Sequence, residues 1–553
     1  MAEKLKLVSL GGLNEIGKNM YVYEYGDEII VVDCGIGFPD DDMYGIDAVI
    51  PDISYLVRNK DRVKGIILTH GHEDHIGAMP FVMDELMKVP VYCTPLTAAL
   101  VNIKLTEHGT ANKVKINTVK AGETVKIGRF SVEFIHVNHS IPDSVALAIK
   151  TPVGVVIHTG DYKIDTTPID GGMIDLARFG ELGKKGVLAL VSDSTNVENP
   201  GYSLSESVVA ANFENQFKDC TQRIIVTTFA SNVHRLQQVI NCAKKYGRKV
   251  AVTGRSMENV MKVATELGYM SVPAGVLVDI NQIKGLPPEK TVIISTGSQG
   301  ETMSALHRMA FGEHRFVEIN AGDKIIISAS AIPGNENSIS RVVDELFRKG
   351  ASVVYERSAL LHASGHACRE ELKMMLALIR PKYFIPVHGE YRHLKLHSEL
   401  AKLMGVNPKN TVISDIGKVI EIGSRSIKLT GVVPSGKIFV DGTGIGDVGS
   451  VVLRDRKHLA QDGMVVAVVS LSSEDGSIVS GPDIITRGFV YVKENETIIN
   501  ELKAITAEAV WDASNKRMSD WTAMKGTIKG RISDYLYKKT KRSPMVLPVI
   551  MDI

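Results

Sequence analysis

The chain has 553 residues, a length that predicts two to four domains of about 100–200 residues each. Its hydrophobic content of 44% and charged content of 23% are ordinary for a soluble globular protein. Its net charge of +1 gives no indication of a nucleic-acid partner, so any basic surface must be local. Five scattered cysteines without a C-x-x-C pair, no apolar signal region and no apolar run of about 18 residues predict a cytoplasmic, soluble protein.

Short apolar segments bounded by glycine or aspartate alternate with turns in the first 200 residues. They predict strands at 28–33, 65–69, 131–137 and 154–158. The spacing of apolar residues predicts a helix over 76–87. Together these elements indicate a layered α/β domain.

The apolar runs become continuous between residues 206 and 360. They predict strands at 224–228, 249–253, 291–295 and 324–328, with helices at 232–246 and 256–267. Buried strands that alternate with helices are typical of a doubly wound parallel sheet. This region is therefore predicted to be a second domain inserted into the first.

The pattern of the first domain returns after residue 361, with a strand at 383–387, and a glycine-rich connector follows near 433–450. A small α/β tail is predicted from a strand at 464–470 and a helix at 498–512. The predicted domains are 1–205 and 361–450 (the two parts of the first domain, with its linker), 206–360 (the inserted domain) and 451–553 (the C-terminal domain).

The strongest chemical signal is the segment His70-Gly71-His72-Glu73-Asp74-His75, which lies between a predicted strand and a predicted helix. Three imidazoles and two carboxylates within six residues are costly to bury unless they share a function. At a strand-to-helix turn they can converge on a divalent cation such as zinc, for which these side chains are suitable ligands.

Three more candidate ligands are spread along the chain: His139, Asp161 and His388. Each is unremarkable alone, because a single histidine is more often an ordinary polar residue. All three nevertheless follow a predicted strand, and ligands gather at the carboxyl ends of strands in open α/β sheets. The fold must therefore bring them to the histidine-rich turn.

This ordered set, together with the segment 11–20 (GGLNEIGKNM), resembles the metallo-β-lactamase superfamily, and the additional elements resemble its β-CASP branch and the bacterial ribonuclease J family within it. The resemblance implies a metallo-β-lactamase αββα sandwich, an inserted doubly wound β-CASP domain and a small α/β C-terminal domain. It also implies two zinc ions, with Mn²⁺ or Mg²⁺ as alternatives.

The resemblance assigns a role to each candidate ligand. His70, His72 and His139 would hold one cation, Asp74, His75 and His388 the other, and Asp161 would bridge them. Asp33, in the segment VVDCG, matches the first motif of the superfamily and would orient the histidine turn.

Asp193 and His366 resemble the first two β-CASP motifs, so the predicted catalytic residues are Asp74, Asp193 and His366. His366 would contact the scissile phosphate or protonate the leaving oxygen, and Asp193 would fix its tautomer or raise its pKa. The family also implies a set of substrate-binding residues, namely Ser231, Asn232, Val233, His362, Ala363, Ser364, Gly365 and His366. The turn at 296–301, which follows a predicted strand, is a weaker candidate anion site.

Two further features are carried over from the family. Gly45, Asp47 and Asp441 would bind an auxiliary Ca²⁺ through oxygen atoms. The C-terminal domain, whose last helix is basic and contains tyrosines, would support a homodimer or homotetramer, and a paralogous subunit is another partner that the family suggests.

The resulting functional hypothesis is a metal-dependent ribonuclease with endonuclease and 5′-to-3′ exonuclease activity, a preference for 5′-monophosphate ends, and a role in RNA maturation, rRNA processing and mRNA decay. Three alternatives remain open, since the metal site specifies hydrolysis but not the substrate: a DNA-processing β-CASP nuclease, a small-molecule metallo-hydrolase, and a metal-free RNA-binding scaffold. The inserted domain argues against a small-molecule enzyme, and the complete ligand set argues against a scaffold.

Overall fold

The computed structural model of the chain describes residues 3–40, 42–169, 171–297, 304–329, 336–355, 359–473, 476–489, 496–515 and 521–553. The chain divides into two compact units, one of residues 1–38 with 49–438 and the other of residues 39–48 with 439–553. In the described ranges, no helix combines the length and the apolarity needed to cross a membrane.

Strands are distributed through the whole described chain. They are β1 (Leu5–Gly11), β2 (Met20–Tyr25), β3 (Glu28–Val32), β4 (Ala48–Pro51), β5 (Val63–Ile67), β6 (Val91–Cys93), β7 (Ile116–Thr118), β8 (Thr124–Ile127), β9 (Phe130–His136), β10 (Val145–Thr151), β11 (Gly154–His158), β12 (Ala189–Asp193), β13 (Ile224–Thr227), β14 (Lys249–Thr253), β15 (Thr291–Ser295), β16 (Lys324–Ile327), β17 (Ser352–Val354), β18 (Tyr383–Val387), β19 (Lys418–Ile422), β20 (Ile427–Val432), β21 (Lys437–Asp441), β22 (Gly444–Ile445), β23 (Met464–Leu471), β24 (Ile478–Arg487) and β25 (Met545–Asp552).

The helices alternate with these strands. They are α1 (Ser54–Arg58), α2 (Glu73–Ile76), α3 (Met79–Leu86), α4 (Pro95–Glu107), α5 (Leu176–Lys185), α6 (Glu206–Phe217), α7 (Val233–Lys245), α8 (Arg255–Glu266), α9 (Ala305–Ala310), α10 (Glu336–Arg348), α11 (Arg369–Ile379), α12 (Tyr391–Leu403), α13 (Ser450–Asp462), α14 (Glu496–Asn515) and α15 (Trp521–Thr540).

Two mixed sheets face each other in the first unit. Their strand orders are β20-β19-β1-β2-β3-β5-β6-β7 and β18-β12-β11-β10-β9-β8. Side chains such as Tyr23, Phe134 and Ile385 fill the space between them. The outer face of the six-stranded sheet is covered by α5, α11 and α12, through residues such as Phe179 and Leu376. The result is the predicted sandwich, because each sheet buries one face against the other.

The predicted strands of this unit are confirmed, and 154–158 and 383–387 match their observed bounds. The helix predicted over 76–87 is confirmed as α3, which begins three residues later than predicted, since Ile76 is the last residue of the separate short helix α2. Pro80 favours this separation, because it has no N–H to donate to the carbonyl of Ile76 but is well tolerated in the first turn of α3. The separate short α2 carries Asp74 and His75 at the start of its turn.

The inserted domain contains a five-stranded sheet of order β14-β15-β13-β16-β17, in which all strands are parallel. On one face, α9 and α10 bury residues such as Met309 and Leu346, and α7 and α8 pack beside β14. The first strand of the domain, β13, lies in the centre of the sheet. The chain adds β14 and β15 on one side of β13 and then β16 and β17 on the other, so the order of the strands switches at β13. Open α/β sheets bind ligands at such a switch point.

The second unit contains the three-stranded sheet β24-β23-β25. Alternate residues of β23, including Val465 and Val469, face α14 and α15 and form the core with Leu502 and Ile532. Successive side chains of a strand point to opposite faces, so the other face of this sheet carries the intervening residues. The domain boundaries proposed from the sequence stay predictions.

Candidate metal centre

The candidate ligands lie where strands of the first unit end. His70 follows β5, His139 follows β9, Asp161 follows β11 and His388 follows β18. β11, β12 and β18 are parallel neighbours, which brings their carboxyl ends to one rim. His388 has a φ of +54°, a left-handed conformation that non-glycine residues adopt rarely and that is often retained at functional sites.

Three histidines form the first half of the centre. The Nδ1 atom of His72 lies 3.1 Å from Nε2 of His70 and 3.0 Å from Nε2 of His139. Ligand atoms about 2.0–2.1 Å from a tetrahedral zinc ion are themselves about 3.3 Å apart, so these separations are close to those of a shared cation. One carboxylate oxygen of Asp161 lies within 4.8 Å of a ring nitrogen of each of these three histidines.

The second half combines two histidines with carboxylates. The Nε2 atom of His388 lies 3.1 Å from Oδ2 of Asp74 and 3.6 Å from Oδ1 of Asp161. The Nε2 atom of His75 lies 3.2 Å from Oδ2 of Asp161 and 3.6 Å from Oδ2 of Asp74. Asp161 thus belongs to both halves, and the structure brings together all seven predicted ligands.

The carboxylate of Asp161 tests whether cations fit this centre. Both of its oxygens are buried and, within the described part of the chain, neither accepts a hydrogen bond of good geometry. Imidazole nitrogens surround it at 3.2 to 3.7 Å instead. A buried carboxylate without donors is costly, whereas cations on either side would neutralise it. The donor set of nitrogen and oxygen atoms suits divalent metal ions, so the residues fit.

Outer partners fix the orientation of the imidazoles. The Nδ1–H of His75 donates to Oδ2 of Asp33 at 2.7 Å, and that of His139 donates to the carbonyl of Gly365 at 2.6 Å. The Nδ1–H of His388 donates to Oγ1 of Thr195 at 2.7 Å. With Nδ1 held in this way, each Nε2 faces the centre and, once it is deprotonated, can present its lone pair to a cation.

The electrostatics of the two halves differ. Burial lowers the pKa of His70 and His139 well below the usual range and that of His72 to about 4, so these rings are neutral. Burial would also lower the pKa of His388, but the carboxylates of Asp161 and Asp74 outweigh it and raise that pKa to about 9. Because ligands must be deprotonated, binding of a cation to this second half releases a proton.

A carboxylate–imidazole pair lies beside the centre. The Nδ1–H of His366 donates to Oδ2 of Asp193 at 2.8 Å, and Oδ1 of Asp193 accepts from the amide and the hydroxyl of Thr195 at 2.9 and 2.7 Å. The ring of His366 lies 5.2 Å from that of His139 and 5.5 Å from that of His388. Despite burial, Asp193 and Asp161 raise the pKa of His366.

The predicted substrate-binding residues lie in two loops. Ser231 and Asn232 follow β13, and Val233 begins α7. The side chain of Val233 is buried, and that of Asn232 accepts a hydrogen bond from the amide of Arg235 at 3.0 Å. Only the backbone of Val233 can therefore touch a ligand, and the amide groups at the start of a helix are suited to an anion.

The second loop carries residues 362–366. Ala363 is buried, and the hydroxyl of Ser364 accepts from the side chain of Asn196 at 2.7 Å. A Cβ atom at Gly365 would lie 2.5 Å from the ring of His139, so only glycine fits there. The side chain of Asn196 also donates to the carbonyl of His366 at 2.9 Å, which orders the loop.

Sequence reasoning missed three residues that support the site. Thr195 and Asn196 hold His388 and the 362–366 loop, and Asn19 donates its side-chain amide to the carbonyl of Asp74 at 3.2 Å. Their only signal was position, since Thr195 and Asn196 follow Asp193 directly and Asn19 lies within the segment 11–20.

Two weaker candidate sites were predicted, the auxiliary Ca²⁺ site and the anion-binding turn at 296–301. At the auxiliary site, the guanidinium of Arg456 donates to Asp441 at 2.6 Å, and Asp47 accepts from the amide of Gly442 at 2.7 Å. A Cβ atom at Gly45 would lie 2.8 Å from the Arg456 guanidinium, so a positive group already lies beside the three residues and Ca²⁺ binding there stays a prediction. Of the candidate anion turn at 296–301, residues 298–301 lie outside the described residues.

Four family models match the chain. They are "Metallo-beta-lactamase superfamily" (residues 13–172), "Ribonuclease J, beta-CASP domain" (221–346), "Zn-dependent metallo-hydrolase RNA specificity domain" (350–413) and "Ribonuclease J C-terminal domain" (451–553). The first and third cover His70, His139, Asp161 and His388, so the candidate ligands fall within matched regions.

Relatives match over the whole length of the chain. Ribonuclease J2 of Bacillus subtilis is 41% identical over 100% of this chain and 99% of its own, and Ribonuclease J 1 of Streptococcus pyogenes serotype M3 is 44% identical over 98% and 97%. Ribonuclease J 2 of Staphylococcus aureus is 40% identical over 99% and 98%.

A solved structure supports the fold. The crystal structure of a protein of unknown function from Enterococcus faecalis V583 covers 76% of this chain and 100% of its own, with a TM-score of 0.54 and 18% identity. At that identity the likeness concerns the fold alone.

We predict that Asp33→Asn weakens binding of Zn²⁺ by about 10–100-fold, the usual effect of removing the outer partner of a ligating histidine. The substitution leaves the imidazole of His75 without the carboxylate that holds its Nδ1–H. Titration with Zn²⁺ under competition from a chelator measures the affinity. Asp323→Asn, a buried aspartate paired with Arg223 in the inserted domain, is the matched control. Equal affinity for Zn²⁺ in the wild type and in Asp33→Asn would contradict the proposal that Asp33 orients the imidazole of His75.

Proposed function

The chain belongs to the ribonuclease J family, and we propose that it hydrolyses RNA phosphodiesters at a two-metal centre, as an endonuclease and a 5′-to-3′ exonuclease that prefers 5′-monophosphate ends. One observation carries the proposal: the buried carboxylate of Asp161 has imidazoles on both sides and no hydrogen-bond donor of good geometry among the described residues. Such an arrangement suits a carboxylate shared by two cations.

In this proposal each cation has its own ligands. His70, His72 and His139 hold one, Asp74, His75 and His388 hold the other, and Asp161 is shared. We propose zinc, with Mn²⁺ or Mg²⁺ as alternatives, because imidazole is the main donor. Bound there, two divalent cations would supply Lewis acidity toward the phosphate and lower the pKa of an attacking water molecule.

The residues of the chain then orient the substrate and move protons. A water oxygen attacks phosphorus, the bond from phosphorus to the 3′ oxygen breaks, and the products carry a 3′-hydroxyl and a 5′-phosphate. His366 is placed to donate a proton from Nε2 to the leaving 3′ oxygen, because Asp193 holds its Nδ1–H and, with Asp161, raises its pKa. Its side chain retains about a fifth of its exposure, so a substrate can reach it.

Two loops, one in the inserted domain and one just after it, support the proposal that the substrate is a polymer. The loop at 231–233 lies at the carboxyl end of the central strand β13 and opens α7, a helix of 13 residues. Amide groups at such a helix start favour an anion, so this loop suits a terminal phosphate. The loop at 362–366 links it to the centre through Gly365 and His366. A small-molecule hydrolase would need neither loop.

We infer cytoplasmic action in RNA maturation, rRNA processing and mRNA decay. The five cysteines, all free, suit a reducing compartment. These cellular roles rest on membership of the family.

We also propose that copies of the chain associate through the C-terminal domain into a homodimer or homotetramer, with a paralogous subunit as the other candidate partner. Ile485, Val466 and Leu547 align across the three strands β24, β23 and β25. Ile485 and Leu547 are nearly half exposed, at 47% and 49%. An apolar row across a sheet face is suited to a self-complementary contact between copies.

The activity is tested with labelled RNA that carries either a 5′-monophosphate or a 5′-triphosphate, and with DNA of the same sequence. We expect the monophosphate RNA to be degraded at least about tenfold faster than the triphosphate RNA, because a closed pocket discriminates against a group that does not fit. Asp74→Ala is the inactive control. Equal cleavage of DNA would favour the DNA nuclease, and hydrolysis of small esters without cleavage of RNA would favour the metallo-hydrolase.

We predict that His366→Ala lowers kcat on 5′-monophosphate RNA by about 10²–10⁴-fold, the usual contribution of a general acid. KM should change far less, because the two phosphate-binding loops keep their other contacts. Steady-state kinetics separate the two constants. His314→Ala, at a half-buried histidine bonded to Thr253 in the inserted domain, is the control. An altered KM with an unchanged kcat would show that His366 binds RNA without transferring a proton.

We predict that Leu547→Glu raises the dissociation constant of the homo-oligomer by more than about tenfold, because a carboxylate would be desolvated in an apolar contact. Light scattering coupled to size-exclusion chromatography over a range of concentrations measures the effect. Leu403→Glu introduces the same charge at an exposed leucine of α12 and is the control. A wild-type mass in the Leu547→Glu variant would exclude this face as the contact.

A further inference from the structure

Arg235 is an arginine of α7 whose side chain is fully buried. A buried guanidinium is unusual and is retained only where its donors are satisfied. Arg235 lies three positions after Asn232, and its backbone amide donates to the side chain of that residue at 3.0 Å. It is therefore attached to the first of the two loops proposed to hold RNA.

The guanidinium reaches the second loop directly. Its Nη1 atom donates to the carbonyl of Leu361 and to the hydroxyl of Ser328, at the end of β16. The hydroxyl of Ser328 donates to the same carbonyl at 2.6 Å. Leu361 immediately precedes the loop at 362–366, so Arg235 connects the two loops, the first through its backbone amide and its place in α7 and the second through its side chain.

The backbone before that loop needs such support. Leu360 has a φ of +50°, a conformation that is costly for a bulky residue and persists only when its surroundings hold it. The carbonyl of the next residue, Leu361, is the group that Arg235 and Ser328 bind. Loss of these hydrogen bonds would let the segment relax and displace the loop.

The opposite side of the guanidinium is attached to the metal-binding domain. The Nη2 atom of Arg235 donates to Oε2 of Glu206 at 2.9 Å, and Nζ of the buried Lys163 lies 4.0 Å from Oε1 of Glu206. The backbone amide of Lys163 donates to the carbonyl of Asn138 at 2.8 Å, beside His139. Contacts therefore continue from the RNA-binding loops to the turns that carry His139 and Asp161.

We propose that Arg235 is a positioning residue for RNA, which holds the 231–233 and 362–366 loops at the separation that the substrate needs and fixes both relative to the metal centre. The inference rests on the proposed ribonuclease function and adds to it a residue that does not touch the substrate. Arg235 is the bridge because its rigid planar guanidinium directs donors to the Leu361 carbonyl and to Glu206 on different sides, a geometry that the single ammonium group of a lysine does not reproduce.

The test compares Arg235→Lys with Arg223→Lys in the full-length, metal-loaded protein. Arg223 makes a similar fork with Asp323 and the carbonyl of Glu318, but at the amino ends of β13 and β16, at the opposite edge of the same sheet. Both substitutions keep the positive charge of the side chain but replace the planar guanidinium with an ammonium group. Only the Arg235 variant should affect the RNA-binding loops.

We expect Arg235→Lys to raise KM for 5′-monophosphate RNA by at least about tenfold, because small displacements of substrate-holding groups can cost up to about 100-fold. Its kcat should change less, since Asp193 and Asn196 hold His366 independently. Arg223→Lys should keep the wild-type KM, and bound metal, measured by mass spectrometry, should be the same in all three proteins.

Ser328→Ala supplies a milder change in the same contact, since it removes one of the two donors to the Leu361 carbonyl. Ser328→Ala should also raise KM, by a smaller factor than Arg235→Lys. It provides the test of the proposal if the Arg235→Lys variant does not fold. A wild-type KM in the folded Arg235→Lys or Ser328→Ala variant, or an equal rise in Arg223→Lys, would overturn the proposal. Wild-type protein that does not cleave RNA would instead refute the underlying function.

Discussion

The carboxylate of Asp161 is the group on which the rest of the structure depends. It is buried between two sets of imidazoles, with no hydrogen-bond donor of good geometry in the described chain, so its charge needs cations to balance it. Placing it there requires β11 to end beside β12, and β12 beside β18, because those strands carry Asp161, Asp193 and His388 to the same rim. The sandwich is thus the means by which distant residues reach one point.

The centre could be predicted largely from the sequence, and the reason is physical. His70 to His75 are contiguous, and His139, Asp161 and His388 each follow an apolar strand, so their common rim follows from strand direction. Even so, Asp74 and His388 are 314 positions apart, and only the family resemblance divided the ligands between two cations. Periodicity alone does not locate the end of a helix, since the helix predicted from Ile76 begins at Met79, with Pro80 in its first turn.

The supporting residues could not be predicted in this way. Thr195, Asn196 and Arg235 acquire their roles from partners on remote parts of the chain, and their local sequence carries no periodic or compositional signal. Tertiary packing decides these hydrogen bonds. The same holds for Val233, whose buried side chain leaves only its backbone for a ligand although the family pattern points to the residue as a whole.

The inserted domain is joined to the sandwich next to the candidate metal centre. The chain leaves the sandwich at the carboxyl end of β12 and comes back beside the candidate metal centre in the 362–366 loop, from which α11 leads to the amino end of β18, the parallel neighbour of β12. Gly365, which follows the insertion, accepts the Nδ1–H of His139, and Thr195, which precedes it, accepts that of His388. The imidazoles are therefore oriented by residues on both sides of the inserted domain. Assembly of the candidate centre therefore requires the segments before and after the inserted domain to meet, and the parallel pairing of β12 with β18 brings them together.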